Sequence, residues 1–428
     1  MPPAQPTQRL RLTVWASPHL LTDVSMAGGK GICDEIALLS TIVNDDDLTQ
    51  APSGDLDWAK HPLKIELSDT VSSAGGNKLL ATAIRAAHNA RMQIFAGYRL
   101  VDAKFKAPRR FNAWLRSLLD GDLASQRSAE ITRFATLISD FLDQDFGAGD
   151  FFDGISFDIE TVAWHHRFGD KDQPAPDDPV KADQIGDVLR EFYRTLADLL
   201  RIKGVLGAGS HVASQNLAVA PGGLVDATHS HSNVGGGAPA GFSFIAHGYQ
   251  MALDRVNFIV RPMAYDNFRV LDDAKRVVDN TAAVDRWHKE IIDYALGEGA
   301  HAGKGTGVGL AGRQFQLGVK ISKGPSNDPR SPQFINLDGV MDDHGWVVRR
   351  CGELRQRGVG LCVFGFSDVA KLGPGETVAN KSKAFWDSIR DFDAKLNPPA
   401  ANGQPLRGDV ISQPAQCPHE VPSLARLR

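Results

Sequence analysis

The sequence predicts a (β/α)8 barrel, the TIM-barrel form of the α/β class, from three observations. Short apolar, β-branched or aromatic segments alternate with longer amphipathic segments, which is typical of β-α units around a parallel sheet. Eight short segments can be counted. Long loops rich in Gly, Ser, Asn and Pro follow several of them, at His166–Val180 and His211–Ala240, and barrels carry their sites in such loops. The alternative is an open doubly wound sheet, whose topological switch point is not visible in the sequence.

The predicted strands are the short segments with the strongest β-propensity. In chain order they are Leu10–Ala16, either Ile36–Val43 or Leu63–Leu67, Met92–Gly97, Phe151–Glu160, Lys203–Gly209, Val256–Tyr265, Phe315–Ile321 and Val359–Phe366. Apolar residues three and four apart predict the helices between them. These helices are Asn77–Ala90, Ser128–Asp145, Ile185–Arg201, Ala274–Tyr294 and Asp342–Arg357.

The domain organisation follows from length and local composition. A chain of 428 residues suits one large barrel with insertions. From Asn397 onward the sequence is rich in proline and lacks apolar periodicity. We therefore expect a barrel domain over 1–396 and an irregular tail over 397–428.

Composition excludes several classes of protein. Charged residues make up 23% of the chain, hydrophobic residues 42%, and the formal net charge is -4, so nucleic acid and acidic membranes are not expected partners. The N-terminus lacks the apolar core of a secretory signal, which predicts a cytoplasmic protein or one exported by a route without a classical signal peptide. The four cysteines have no C-x-x-C spacing, so free thiols are expected.

The segment FFDGISFDIETV, residues 151–162, carries the most informative pattern. In a strand, Ser156, Asp158 and Glu160 share one face and the apolar residues between them share the other. Apolar residues flank the segment on both sides, and burying unpaired carboxylates is unfavourable. Two carboxyl groups this close favour the protonation of one of them, which can then act as a general acid.

Two segments resemble glycoside hydrolase family 18, the chitinases and related endo-N-acetylglucosaminidases. Asp153–Glu160 is similar to the family signature D-G-x-D-x-D-x-E, and VNFIVRPMAYDNF, residues 256–268, is similar to its sixth strand, which ends in M-x-Y-D. Met263, Tyr265 and Asp266 occupy the second motif.

The resemblance implies a site and a mechanism. Glu160 would protonate the leaving oxygen and later activate water, while the substrate's own 2-acetamido oxygen acts as the nucleophile. Asp158 would bind the acetamido N–H, and Tyr265 would orient the acetamido carbonyl. Asp266 and Met263 would line the sugar site. No metal or organic cofactor is implied.

The chain departs from the family pattern at three places. Ser156 stands where the signature has its middle Asp, so the coupling between neighbouring carboxyl groups should be weaker. The third strand reads MQIFAGYRL and lacks the S-x-G-G of the family. On the last strand, Phe364 and Phe366 are the nearest candidates for the sugar-stacking floor that the family builds with Trp, Phe364 being the one assigned, and either can instead be a core phenylalanine.

Further substrate contacts are predicted from position alone. Trp164 directly follows the catalytic strand, so it can stack on a sugar ring or serve only in packing. Trp15, Tyr98 and Asn216 are expected at the same mouth.

The sequence thus predicts a glycosidase that cleaves a β-linked, N-acetylglucosamine-containing glycan such as chitin, an N-glycan core or a peptidoglycan-type polymer. Ser156 and the unusual third and eighth strands leave open a non-catalytic carbohydrate-binding protein on the same fold. A metal-dependent hydrolase using Asp158, Glu160 and the pair His229 and His231 is the other alternative.

Overall fold

The chain is a mixed α/β protein built around one largely parallel sheet. The computed structural model describes residues 9–22, 33–44, 57–99, 110–147, 149–159, 179–202, 213–218, 258–263, 281–303, 308–321, 350–365 and 374–398. Within these ranges the strands are β1 (Leu12–Ala16), β2 (Glu35–Asn44), β3 (Ile65–Leu67), β4 (Gln93–Arg99), β5 (Gly154–Ile159), β6 (Ala213–Ala218), β7 (Phe258–Met263), β8 (Gln316–Ile321) and β9 (Gly360–Gly365).

Helices stand between most of the strands. In the described ranges they are α1 (Asp69–Ser73), α2 (Asn77–Asn89), α3 (Arg110–Asp120), α4 (Arg127–Leu142), α5 (Pro179–Ile202), α6 (Thr281–Leu296), α7 (350–356) and α8 (Val378–Leu396). None of these helices is long and apolar enough to cross a membrane.

The strands pair in the order β1-β9-β8-β7-β6-β5-β4-β2-β3. Strand β1 also pairs with β2, so the sequence of parallel pairings returns to the strand from which it starts. Among the described strands, only β3 runs antiparallel, against the end of β2. The alternation of parallel strands and helices that the sequence predicts is confirmed.

Most element boundaries agree with the prediction, but β6 was not predicted as a strand. Lys203–Gly209, the predicted strand, lies outside the described residues, whereas β6 occupies Ala213–Ala218 between β5 and β7. Its sequence, ASQNLA, lacks the β-branched and aromatic residues on which the prediction relied. The second predicted region forms two strands: β2 in the parallel order and the short β3.

Helices α1, α3 and α8 were not predicted, although α8 has a clear signal. Thr377 caps its first turn by accepting a hydrogen bond from Asn380 N at 3.2 Å. Its buried residues recur three or four apart and are Ser382, Phe385, Trp386, Ile389, Phe392 and Leu396. The helix is tied to the start of the chain, because Trp386 Nε1 donates to Leu20 O at 2.8 Å. Just beyond the predicted boundary, Asn397 accepts a hydrogen bond from Leu10 N at 2.7 Å.

The sheet has two different faces. The helix face carries the larger apolar core, including Tyr98, Phe157 and the rings of α4 and α5. The opposite face, here called the polar face, carries Arg261 and its hydrogen-bond partners together with a small apolar cluster, Trp15, Ala37 and Cys362. Residues that are paired in register on neighbouring strands share a face, so these two sets can be followed around the sheet.

Gly97 marks a close approach between β2 and β4. A Cβ at this position would lie 1.8 Å from Leu38 O, at the point where the β2–β4 register shifts between Leu38 and Ile42. Glycine is therefore required by the shape of β2, and this explains part of the unusual third-strand sequence.

Candidate functional site

The candidate site lies where β5 and β7 end at one edge of the sheet. Both strands pair in parallel with β6 between them. Asp158 is in register with Asn216, and Asn216 is in register with Arg261. Since parallel strands point their carboxyl ends to the same edge, residues that follow Ile159 and Met263 start from neighbouring positions.

The predicted site residues are described to different extents. Glu160, Tyr265, Asp266 and Trp164 lie outside the described residues, as do His229 and His231 of the metal alternative. Three others have a described backbone position only: Asp158 on β5, Met263 at the end of β7, and Phe364 on β9. Their roles stay predictions. Among the described residues, no group of three or more metal-ligating side chains occurs.

Ser156 is fully buried on the polar face. Its Oγ accepts a hydrogen bond from Arg261 Nη1 at 3.2 Å. The residue that replaces the signature Asp therefore has a cationic partner.

Arg261 is held by side chains from four other strands. Its Nε donates to Gln316 Oε1 at 2.6 Å, and its Nη2 donates to Thr13 Oγ1 at 3.3 Å. The same Nη2 forms an ion pair with Glu35, and both side chains are 0% exposed. We call Arg261, Glu35, Gln316, Thr13 and Ser156 the Arg261 cluster. Burying a charge is tolerated when it is paired and hydrogen-bonded, as here.

A second guanidinium, that of Arg11 just before β1, contacts the Arg261 cluster. Arg11 Nη2 donates to Glu35 Oε2 at 2.9 Å, so one buried carboxylate lies between two cations. Burial lowers the pKa of Arg11, and the charge of Glu35 opposes that effect. Nearby, burial raises the pKa of the Cys362 thiol to about 12.

The first acid of the signature belongs to the other end of β5. Asp153 Oδ2 accepts a hydrogen bond from Ile94 N at 2.8 Å and lies 3.0 Å from His88 Nε2. Burial lowers the pKa of His88, but its hydrogen bond to Asp153 and the charges of Asp153 and Asp150 outweigh this and raise it overall. Asp153 therefore joins β5 to β4 and α2.

The placement of Tyr98 at the substrate mouth is wrong. Tyr98 is 0% exposed and lies on the helix face. Its ring contacts Phe157 edge-on at 5.6 Å and Phe134 at 6.3 Å. Register explains the error, because Tyr98 pairs with Phe157 and so shares the apolar face of β5, whereas the neighbouring Arg99 pairs with Asp158. Trp15 does lie on the polar face, and Asn216 lies within β6 beside Asp158.

Sequence reasoning did not identify Arg261 and Glu35 as candidate site residues. A signal was present for Arg261, since it is a single charge inside the apolar strand FIVRPM. A buried charge needs a partner, and this holds for the cation on β7 as it does for the acids of β5.

Comparison with known proteins gives structural likeness without sequence support. The chain matches no protein-family model and no curated protein. A chitinase from Chromobacterium violaceum ATCC 12472 is 10% identical, with 90% of this chain and 98% of that chain covered and a TM-score of 0.46. The spore cortex-lytic enzyme SleL of Bacillus cereus is 12% identical, with coverages of 90% and 75% and a TM-score of 0.44. A GH5-4 endoglucanase from an uncultured bacterium is 11% identical, with coverages of 89% and 86% and a TM-score of 0.41.

Proposed function

We propose that this protein is a (β/α)8-barrel glycoside hydrolase that cleaves a β-linked, N-acetylglucosamine-containing glycan. The return of the strand order to β1 supports the barrel. The contacts of Arg261 support the barrel as well. A single side chain can contact residues of several non-adjacent strands only if it lies inside a closed ring of strands.

One observation carries the functional proposal. The two signature segments, separated by about a hundred residues in the sequence, occupy strands that end at the same edge with only β6 between them. Asp158 is the last residue but one of β5, and Glu160 follows that strand directly. Tyr265 comes two residues after the end of β7. Catalytic groups of barrels stand at this edge.

The mechanism needs one proton donor on the protein. Glu160 donates its proton to the glycosidic oxygen as the bond to the anomeric carbon breaks. The 2-acetamido oxygen of the substrate attacks that carbon and forms an oxazolinium ion, which Asp158 stabilises through the acetamido N–H. Glu160 then deprotonates a water molecule, which attacks the anomeric carbon and opens the oxazolinium ring. Each of the two attacks inverts this carbon, so its configuration is retained overall.

The test is hydrolysis of a panel of chitin oligosaccharides, N-glycan cores and peptidoglycan fragments by the parent protein and Glu160→Gln. We expect the variant to lose at least about a hundredfold in kcat, since general acid catalysis contributes on that order. Glu66→Gln is the matched control, because Glu66 is exposed on β3. NMR of the first product should show the β-anomer. Full activity of Glu160→Gln would remove Glu160 from the mechanism.

Ser156 favours one second candidate, a carbohydrate-binding protein without activity. Its position holds a neutral hydroxyl bound to Arg261 where the signature has an acid. The parent protein would then bind N-acetylglucosamine oligomers in calorimetry and release no product over days.

A further inference from the structure

We propose that Arg261 is a positioning residue for the proposed glycosidase site, taking over through Ser156 the support that the signature acid would give to Asp158. This inference rests on the proposed function for its catalytic meaning. Its structural basis is the hydrogen bond from Arg261 Nη1 to Ser156 Oγ, 3.2 Å long and fully buried.

The hydroxyl of Ser156 can relay this interaction. A serine oxygen that accepts a hydrogen bond keeps its own O–H free to donate. Asp158 is two residues further along the same strand and shares the polar face with Ser156. Residues two apart on a strand are separated by about 6.5 Å, so the serine O–H can be directed towards the Asp158 carboxylate.

The guanidinium is fixed in place by the rest of the Arg261 cluster. Glu35, Gln316 and Thr13 bind its remaining nitrogens from three different strands. A guanidinium keeps its charge throughout the pH range of glycosidases. The polar face therefore places a permanent cation, paired with Glu35, on Ser156, at the position where the signature has a second acid.

Other groups lie near Asp158 in register or in sequence, and their effects must be separated from this one. Arg99 on β4 and Asn216 on β6 are its register partners, Glu160 comes two residues later in the sequence, and Glu35 carries the charge opposite to that of Arg261. Arg99 is the rival cation, because it is one strand away whereas Arg261 is two strands away. The long side chain of Arg261 compensates for that distance, since it reaches Ser156 on β5 itself.

The experiment measures the ionisation of Asp158 directly. Protein labelled with ¹³C at aspartate carboxyl groups is titrated by NMR, and the Asp158 resonance is the one missing from Asp158→Asn. The double variant Glu35→Gln with Arg261→Gln removes both charges of the buried pair together, and it leaves only the partly exposed Arg11 without its carboxylate. We expect the Asp158 midpoint to rise by less than about one pH unit, because the cation that contacts Ser156 is lost together with the Glu35 carboxylate, whose opposite effect partly cancels it.

Two variants at position 156 test the relay. Ser156→Ala keeps the cation and removes the hydroxyl, and the midpoint should rise by about half a unit. Ser156→Asp restores the signature acid next to Asp158 and gives Arg261 a new partner. This variant should raise the Asp158 midpoint more than Ser156→Ala does. If the double variant does not fold, as judged by circular dichroism, these two variants decide the question.

Arg99→Gln is the competing arm. A midpoint that moves in Arg99→Gln and is unchanged in the Arg261 and Ser156 variants would overturn the proposal. The acid limb of the kcat profile against pH should follow the NMR midpoints, which a purely structural role of Arg261 would not produce. A parent protein that cleaves no glycan ends the proposed function, while the NMR titration still tests the Arg261–Ser156–Asp158 relay.

Discussion

Side chains on both faces of the sheet are fully buried, and the two faces are stabilised in opposite ways. On the helix face, Phe134 is 0% exposed and is surrounded by other aromatic rings. On the polar face, Arg261 and Glu35 are also 0% exposed, and they are stabilised by charge and hydrogen bonds. Burial alone therefore does not distinguish a packing region from a region that can support chemistry. The two kinds of region are distinguished by whether the buried side chains contact apolar groups or charged and hydrogen-bonding groups.

The helix face should show the largest loss of stability on truncation. Phe134→Ala leaves a cavity between Trp114, whose ring is 5.2 Å away, and Phe192 at 5.5 Å. We expect a loss of about 4 kcal/mol in the free energy of unfolding, measured by denaturant titration. Val378→Ala is the control, because Val378 is exposed. A loss below about 1 kcal/mol would contradict the packing described here.

The polar face should be sensitive to unpaired charge. Glu35→Gln leaves Arg261 and Arg11 without their shared carboxylate, and we expect a loss of about 3 kcal/mol. The double variant with Arg261→Gln should be less destabilised than the sum of its single variants, since the second change removes the fully buried one of the two unpaired cations. Strict additivity in a double-mutant cycle would show that the pair is not coupled.

A smaller, pH-dependent effect is expected at the amino end of β5. The pKa of His88 is raised in the folded state, overall, by Asp153. A raised pKa of a histidine stabilises the protein below its unfolded value of about 6.5 and ceases to do so as pH rises through the folded value. The stability difference between the parent and His88→Gln should therefore be larger at pH 5.5 than at pH 8. Because His88 is partly exposed, the difference should be small. Equal differences at both pH values would contradict this.

Cysteine labelling gives the mildest comparison of the two faces. Cys33 belongs to the helix-face core and Cys362 to the polar face, and burial raises the pKa of both thiols, that of Cys362 to about 12. At pH 8 both should resist alkylation in the native protein, whereas the half-buried Cys351 should react. Peptide mapping by mass spectrometry reads each site separately. Faster labelling of Cys362 than of Cys33 would show that water enters from the polar face.

Much of the fold was predictable because it depends on local pattern. Alternation identified β5, and helical spacing identified α2 and α4, within a few residues of their ends. Strand β6 was not predicted, because its sequence ASQNLA is largely polar and has no β-branched or aromatic residue. Its place in the sheet depends on β5 and β7, its neighbours.

The candidate site was predictable in part. The positions of Asp158 and Met263 at strand ends follow from the two motifs, and the structure places both on strands that share an edge. The side on which Tyr98 lies was not predictable, because the third strand gave no independent indication of which face was covered by helices.

The sequence by itself determined which residues of a strand share a face, because that depends only on the alternation of the backbone. It also carried both signature segments that suggest the function. Only the tertiary structure decided which face is polar and which partners Arg261 has, since its contacts lie 55 to 248 residues away in the chain. Such pairings form when distant strands come into register, so no local pattern encodes them. Ser156 acquires its cationic partner in this way.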